Sequence, residues 1–281
     1  MLDFRIETFL TLCSTMSYRE TAELLHITQP AVTQHIQHLE REYGCRLFSY
    51  EGRQLKKTEN AVILENYARV MKANDDDLRR QLSDSRICDL KIGATKTIGD
   101  YVICGYAERF ISHEENTLTL IVDNTERLLG LIDSGALDFA LIEGYFDKNK
   151  YGSRLFRKEP FVGICSPLHP FAGQEIIISE LFSQTLICRE DGSGTRSVLE
   201  NKLLEFNEST AHFRRRICIS SFPVILDLVR KNYGISFVYK VLSEQEGLAR
   251  FLIADTPIVR EFNFVYLKNT GAEKKIDRFM E

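Results

Sequence analysis

The segment TQPAVTQHIQHLE, starting at Thr28, carries Gln29, Pro30, Thr33 and Gln34 at the exposed start of an amphipathic pattern. A Gln amide can pair bidentately with an adenine edge, and a Thr can meet a base edge or a thymine methyl. Residues of these types in the first turns of a helix suit reading of the major groove, which such helices enter N-terminus first. A few residues on, RLFSYEGRQLKKT gathers Arg46, Arg53, Lys56 and Lys57 against the single acid Glu51. Arg53 at the turn and Lys56 behind it are the expected phosphate or minor-groove contacts. A partnerless polar helix face is the bland alternative, and the basic hairpin beside it weighs against that reading. His35 and His38 read as solvent-facing spacers.

A second group of residues suits a small ligand. REDGSGTR, Arg189 to Arg196, joins a strand to a helix. Gly192 and Gly194 allow close backbone approach, while Ser193, Thr195, Arg196 and the helix-start amides favour an anion such as a carboxylate, sulfate or phosphate. A Gly-rich turn with a Thr cap explains the same residues equally well. Thr95, Lys96 and Thr97 follow the DLKIGA run, Asn124 follows TLTLIVD, and Ser221 precedes a Pro-initiated helix. Hydroxyl and amide side chains at strand-to-helix junctions serve ligands or serve as plain caps. Glu143-Gly144 closes DFALIEG and either shapes a cleft floor or breaks the strand.

Catalytic and metal chemistry find no footing. None of GxxxxGK[ST], GxGxxG, GxSxG or HExxH occurs, and the six His and seven Cys form no CxxC or nucleophile–base pairing. No cofactor, metal site or catalytic residue is expected. The odd, scattered cysteines imply reduced thiols in a cytosol.

The elements that position these residues follow from periodicity. Apolar residues recur at helical steps through the first sixty positions, with a three-residue break at His26-Ile27-Thr28. Two short helices so joined make a helix-turn-helix. Gly44 ends the next helix, and a β-wing turning at Glu51-Gly52 follows. Thr58 to about Arg86, free of Gly and Pro, reads as one long helix whose apolar stripe calls for a second chain. Beyond it, DLKIGA, TLTLIVDN, DFALIEG, FVGICS, TLICRE, RRRICIS, GISFVY and FNFVYLK alternate with helical stretches. That alternation implies mostly parallel sheets, in two α/β lobes rather than one sheet.

Size and charge set bounds. The chain has 281 residues, 44% hydrophobic and 27% charged, with formal net charge −4, enough for two or three domains. No apolar run is long enough to span a bilayer, and Asp3, Arg5 and Glu7 make the N-terminus unlike a secretory signal. Residues 1–58 hold seven bases and seven acids. With so little excess charge one module binds DNA weakly, so dimerisation has to supply affinity.

Taken together, FLTLCSTMSYRETAELLHITQPAVTQHIQHLEREYGCRLFSYEGRQLKKTE resembles the N-terminal pattern of LysR-type transcriptional regulators. Ser17, Ala22, Gln29 through Val32, Ile36, Leu39-Glu40, Gly44 and Arg46 through Phe48 carry the likeness, which extends over nearly the whole chain. Departures are Tyr18 for a usual Phe, Asn60-Ala61 for Ala-Gly, a missing Pro in YVICGYAERF, and Lys96 where a hydroxyl is common.

The resemblance implies an α+β multidomain chain. A winged helix-turn-helix would occupy 1–58, a dimerising linker helix 59–87, and a two-lobed, periplasmic-binding-protein-like α/β effector domain 88–281. Lobe one would be 88–160 with 264–281, and lobe two 161–263. VDNT, LIEG, SPLHP and REDGSGTR are similar to the branch that includes regulators of cysteine and sulfur assimilation. Family effector positions carry over to Thr95, Thr97, Asn124, Ser193, Thr195 and Ser221, and DNA contacts to Gln29, Pro30, Thr33, Gln34 and Arg53. The expectation is a cytoplasmic homodimer or homotetramer on double-stranded promoter DNA, answering a small anionic metabolite and independent of membranes. The competing readings are a cytosolic small-molecule-binding protein or enzyme with a helical extension, and a ligand-free architectural DNA protein.

Overall fold

Asp3 accepts a hydrogen bond from the Arg5 amide at 2.8 Å and starts α1 (Phe4–Thr15). Ser17 does the same for α2 (Tyr18–Leu24) through the Glu20 amide, and Thr28 for α3 (Gln29–Tyr43) through the Ala31 amide. Pro30 sits in the first turn of α3, where its missing N–H leaves no bond unmade, and Gly44 ends the helix in the left-handed region at φ 65°. The computed structural model describes residues 3–83, 88–254 and 257–281 of this chain. Contacts divide it into two units, one built on the N-terminal helices and one on the α/β region.

β1 (Phe48–Glu51) and β2 (Gln54–Lys57) form the wing as an antiparallel pair. Glu51 faces Gln54 across the ladder, so the turn is Gly52-Arg53, one residue later than the expected Glu51-Gly52. Gly52 supplies the positive φ of 63° that a two-residue hairpin turn needs. α4 (Glu59–Ser83) is the long helix; its expected extension to residue 86 or 87 lies outside the described residues. Phe9, Leu12, Ile36, Leu39 and Leu47 form the core of this unit, and Ala61 and Ala68 let α4 pack closely on it. Ile63, Tyr67, Met71, Leu78 and Leu82 remain exposed along α4.

The second unit runs β3 (Cys88–Thr95), α5 (Lys96–Tyr101), α6 (Cys104–Ile111), β4 (Asn116–Asp123), α7 (Thr125–Asp133) and β5 (Phe139–Ile142). Then come the long β6 (Tyr151–Cys165), β7 (Glu175–Ile176), α8 (Ile178–Leu181), β8 (Thr185–Cys188), α9 (Gly194–Leu204), β9 (Arg215–Cys218) and α10 (Phe222–Arg230). β10 (Ser236–Tyr239), α11 (Lys240–Ser243), β11 (Ala249–Ile253), β12 (Ile258–Leu267) and α12 (Ala272–Met280) complete it. Between β3 and β4 the helical stretch is two helices, α5 and α6, broken at Val102-Ile103.

One sheet carries the order β4-β3-β5-β12-β6-β11-β7, with β10 also paired to β6. β8 and β9 pair in parallel, and an isolated bridge between Leu186 and Ile235 ties them to the residue directly before β10. The two halves are therefore not independent sheets: β6 and β12 run through both. The expectation of mostly parallel pairing holds for β3 with β4 and β5, whereas β12 and β6, and β6 with β10 and β11, are antiparallel. At about 3.3 Å per residue, the 15 residues of β6 are long enough to serve two lobes.

Gly234 precedes the bridged Ile235, and a Cβ there would lie 2.4 Å from the Thr185 carbonyl oxygen. Backbone cannot yield as a side chain can. Gly234→Ala is expected to cost about 1–3 kcal/mol, read as a lower urea midpoint at unchanged slope.

Candidate functional site

In the N-terminal unit, Val32, Ile36 and Leu39 anchor α3 in the core and leave Gln29, Pro30 and Gln34 exposed on its opening turns. Thr33 is half-buried; its hydroxyl donates to the Gln29 carbonyl at 3.2 Å, and the Gln29 amide donates to that hydroxyl at 3.3 Å. This pair pre-sets the two side chains on one edge of the helix. His35 departs from the expected solvent-facing spacer. Its Nδ1 lies 2.9 Å from the Thr8 hydroxyl and its ring meets Phe4 edge-on, so it fastens α3 to α1. Burial holds its pKa below the ordinary imidazole value.

The basic wing is largely neutralised from within. Arg46 reaches Glu40 at 3.3 Å, Lys56 pairs with Glu51, and Lys57 meets Glu65 of α4 at 2.7 Å, where Arg69 also binds. Burial pushes the Glu65 carboxyl up, but those two cations bring it below the ordinary value. Among the described residues, Arg53 has no carboxylate partner, and it stands exposed in the hairpin turn. Lys56 is also available, because its pair with Glu51 is exposed on both sides and worth little.

In the second unit the candidate ligand residues converge on one that spacing did not single out. β5 is buried at all four positions and delivers Glu143 just past its end. Its carboxylate accepts hydrogen bonds from the Thr95 hydroxyl at 2.8 Å, the Thr97 hydroxyl at 3.0 Å and the Thr195 hydroxyl at 3.3 Å. Thr95 and Thr97 come from the β3–α5 junction and Thr195 from the first turn of α9, so one buried carboxylate ties together the two halves of the domain. Burial raises the Glu143 pKa above the ordinary carboxylate value, with the three hydroxyls and the Arg189 guanidinium pulling only part of the way back.

The other expected residues have different surroundings. Lys96 donates to the Ser220 carbonyl at 3.4 Å and lies 3.8 Å from Glu190. Arg196 is held by Asp191 and Glu200, each at 2.7 Å. Asn124 is exposed and caps α7 by accepting from the Arg127 amide. Ser193 is buried and Ser221 half-buried; both stand at helix starts without making a side-chain cap bond. Arg189 grips Glu190 with two hydrogen bonds and lies over the Phe222 ring. Thr95, Thr97 and Thr195 are thus brought together, while Asn124 and Arg196 are engaged elsewhere. Glu143 had a signal in sequence: an acid directly after four apolar strand residues has to find donors or stay protonated.

A helix-turn-helix with a wing, joined to a two-lobed domain holding a polar cradle, defines a DNA-binding regulator with a sensing domain. Residues 5–62 match the model of the bacterial regulatory helix-turn-helix protein, lysR family, and residues 88–281 match that of the LysR substrate binding domain. The RuBisCO operon transcriptional regulator of Allochromatium vinosum is 28% identical over 94% of this chain and 89% of its own. The HTH-type transcriptional regulator CysL of Bacillus subtilis is 26% identical over 96% and 88%. A full-length OxyR variant from Pseudomonas aeruginosa shares the fold, with a TM-score of 0.69 at 18% identity over 100% of this chain and 93% of that one. The chain belongs to the LysR family of transcriptional regulators: a DNA-binding protein with an effector-binding domain, not an enzyme. No helix among the described residues is long and apolar enough to cross a membrane.

A carboxyl whose pKa is raised on folding contributes most stability when protonated, and that contribution is lost as pH rises through its folded pKa. Between about pH 5 and about pH 8, the melting temperature of wild type should therefore fall relative to that of Glu143→Gln. A gap between the two that does not change with pH would exclude a raised Glu143 pKa.

Proposed function

We propose that Thr95, Thr97, Ser193, Thr195 and Ser221, with Lys96, Asn124 and Arg196 around them, form the effector site, and that the effector is a small anion. The single observation behind this is the convergence of three threonine hydroxyls from both lobes on one carboxylate. Donors that hold an internal carboxylate are equally suited to a ligand's carboxylate or sulfate oxygens. Glu143 then acts as a resident competitor, and the effector displaces it. Sulfur metabolites and inorganic sulfate are the first ligands to try, in keeping with the CysL likeness.

On the DNA side, Gln29, Pro30, Thr33 and Gln34 read base edges, while Arg53 and Lys56 meet phosphates or the minor groove. The exposed positions on α3 and the unpartnered Arg53 support this assignment. The chain works in the cytoplasm as a homodimer or homotetramer, joined through the apolar stripe of α4, on an interrupted palindrome in promoter DNA. We assign DNA binding to 1–58, dimerisation to 59–87 and sensing to 88–281, with lobe one at 88–160 and 264–281 and lobe two at 161–263.

In mobility-shift titrations on DNA from the protein's own genomic neighbourhood, Gln29→Ala should lose about 1–3 kcal/mol of binding at cognate sites, and Arg53→Ala should also flatten the salt dependence by about one unit of slope. Wild-type binding by both variants would refute the contact assignment. In a thermal-shift panel of sulfur metabolites, inorganic sulfate and small carboxylates, a hit should bind Thr195→Ala more weakly and Glu143→Gln more tightly, each by roughly tenfold. A hit with undiminished affinity for Thr195→Ala would remove the cradle as its site.

A further inference from the structure

A second chamber lies beside the strands that both lobes share. The segment after β5 contributes Tyr145 and Lys148, β6 contributes Lys158, and β12 contributes Arg260, Glu261 and Asn263 to a space of about 400 Å³. That is the size of a small-metabolite pocket. Three cations, Lys148, Lys158 and Arg260, and one acid, Glu261, line it.

Arg260 marks this space as a site. Its guanidinium lies 4.5 Å above the Tyr145 ring, which fixes its position, and its Nε is buried without a hydrogen-bond partner. The neighbouring Arg157 also has a buried Nε without a partner, but its terminal nitrogen reaches the Glu159 carboxylate at 3.0 Å. Among the described residues, neither Arg260 nor Lys158 has a carboxylate within ion-pair distance, although Glu261 faces Lys158 across the ladder. A buried guanidinium nitrogen with no acceptor carries a desolvation cost that an incoming oxyanion would offset.

We propose that this chamber binds a small dianion, a phosphate monoester or a dicarboxylate, distinct from the ligand of the threonine cradle. Arg260 forks onto one pair of ligand oxygens. Lys158 acts as a point charge toward the second negative charge, and Tyr145 holds the guanidinium in register. The β-bulge between Phe262 and Asn263 lies at this chamber, the kind of irregularity that re-aims side chains beside ligand sites. Tyr145 follows Glu143-Gly144 directly in the chain, so an occupant here bears on the same segment that presents Glu143 to its hydroxyls.

Isothermal titration calorimetry on the full chain tests this, with inorganic phosphate and succinate as separate probes; the arm that saturates distinguishes phosphate-like from dicarboxylate ligands. At least one probe should bind saturably. Its affinity should fall at least tenfold in Arg260→Gln and several-fold in Lys158→Gln, and stay unchanged in Thr195→Ala. Should Arg260→Gln fail to fold, the exposed Lys158→Glu carries the test, with at least a tenfold loss expected. Absence of saturable binding by either probe overturns the proposal, as does an affinity that survives the chamber substitutions. Binding lost in Thr195→Ala and kept in Arg260→Gln also overturns it, and assigns the anion to the cradle instead.

Discussion

The effector domain is organised around a charge that burial makes costly. Glu143 sits at the end of a strand with no exposed position, and its carboxylate has to be satisfied by whatever the fold brings to it. Three hydroxyls meet it, two from the β3–α5 junction and one from the start of α9. That requirement explains why the Thr95 hydroxyl, at the N-cap of α5, makes no cap bond there. Each such bond to a charged acceptor is worth about 1.5–3 kcal/mol, whereas an unmet carboxylate costs more. The two lobes are thereby coupled through a handful of polar atoms as well as through the shared strands β6 and β12.

Elsewhere the chain pairs its cations with its own acids. Arg46, Lys56 and Lys57 of the winged helix-turn-helix each meet a carboxylate, and so do Arg69, Arg189 and Arg196 beyond it. The Lys57–Glu65–Arg69 group also fixes the wing to α4. Its carboxylate is held below the ordinary value because two cations outweigh burial, the opposite balance from Glu143, where burial outweighs three hydroxyls and the Arg189 charge. Two carboxylates of the same type are thus driven in opposite directions by their neighbours alone.

Local chemistry was readable and long-range chemistry was not. Thr28, Pro30, Gly44 and the wing glycine marked helix and turn boundaries because caps and positive φ act within a few residues. Strand β6 was only half visible. Its Tyr151–Pro160 portion carries Arg154, Arg157, Lys158 and Glu159, which interrupt any apolar pattern, yet ladder pairing with β12 holds it extended. The threonines were found as candidates, but the acceptor they serve lies 46 to 52 residues away in sequence. His35 likewise read as a spacer on its own helix, since its partner Thr8 sits on another. Contacts of that kind are set by topology, and topology depended here on strands that β-propensity alone does not reveal.

A buried carboxylate held by hydroxyls from both halves also limits how this arrangement can change. A ligand shifts a two-state equilibrium only by its differential affinity, and moving it from 1:99 to 99:1 takes roughly 5.5 kcal/mol. An anion that took the place of Glu143 would gain bonds that Glu143 now makes, so the threonines contribute only the excess of its bonds over those. The difference must come from where Glu143 goes: toward water, where its charge is solvated, or into a protonated state, which its raised pKa favours. Either route removes the burial cost that Glu143 carries where it stands.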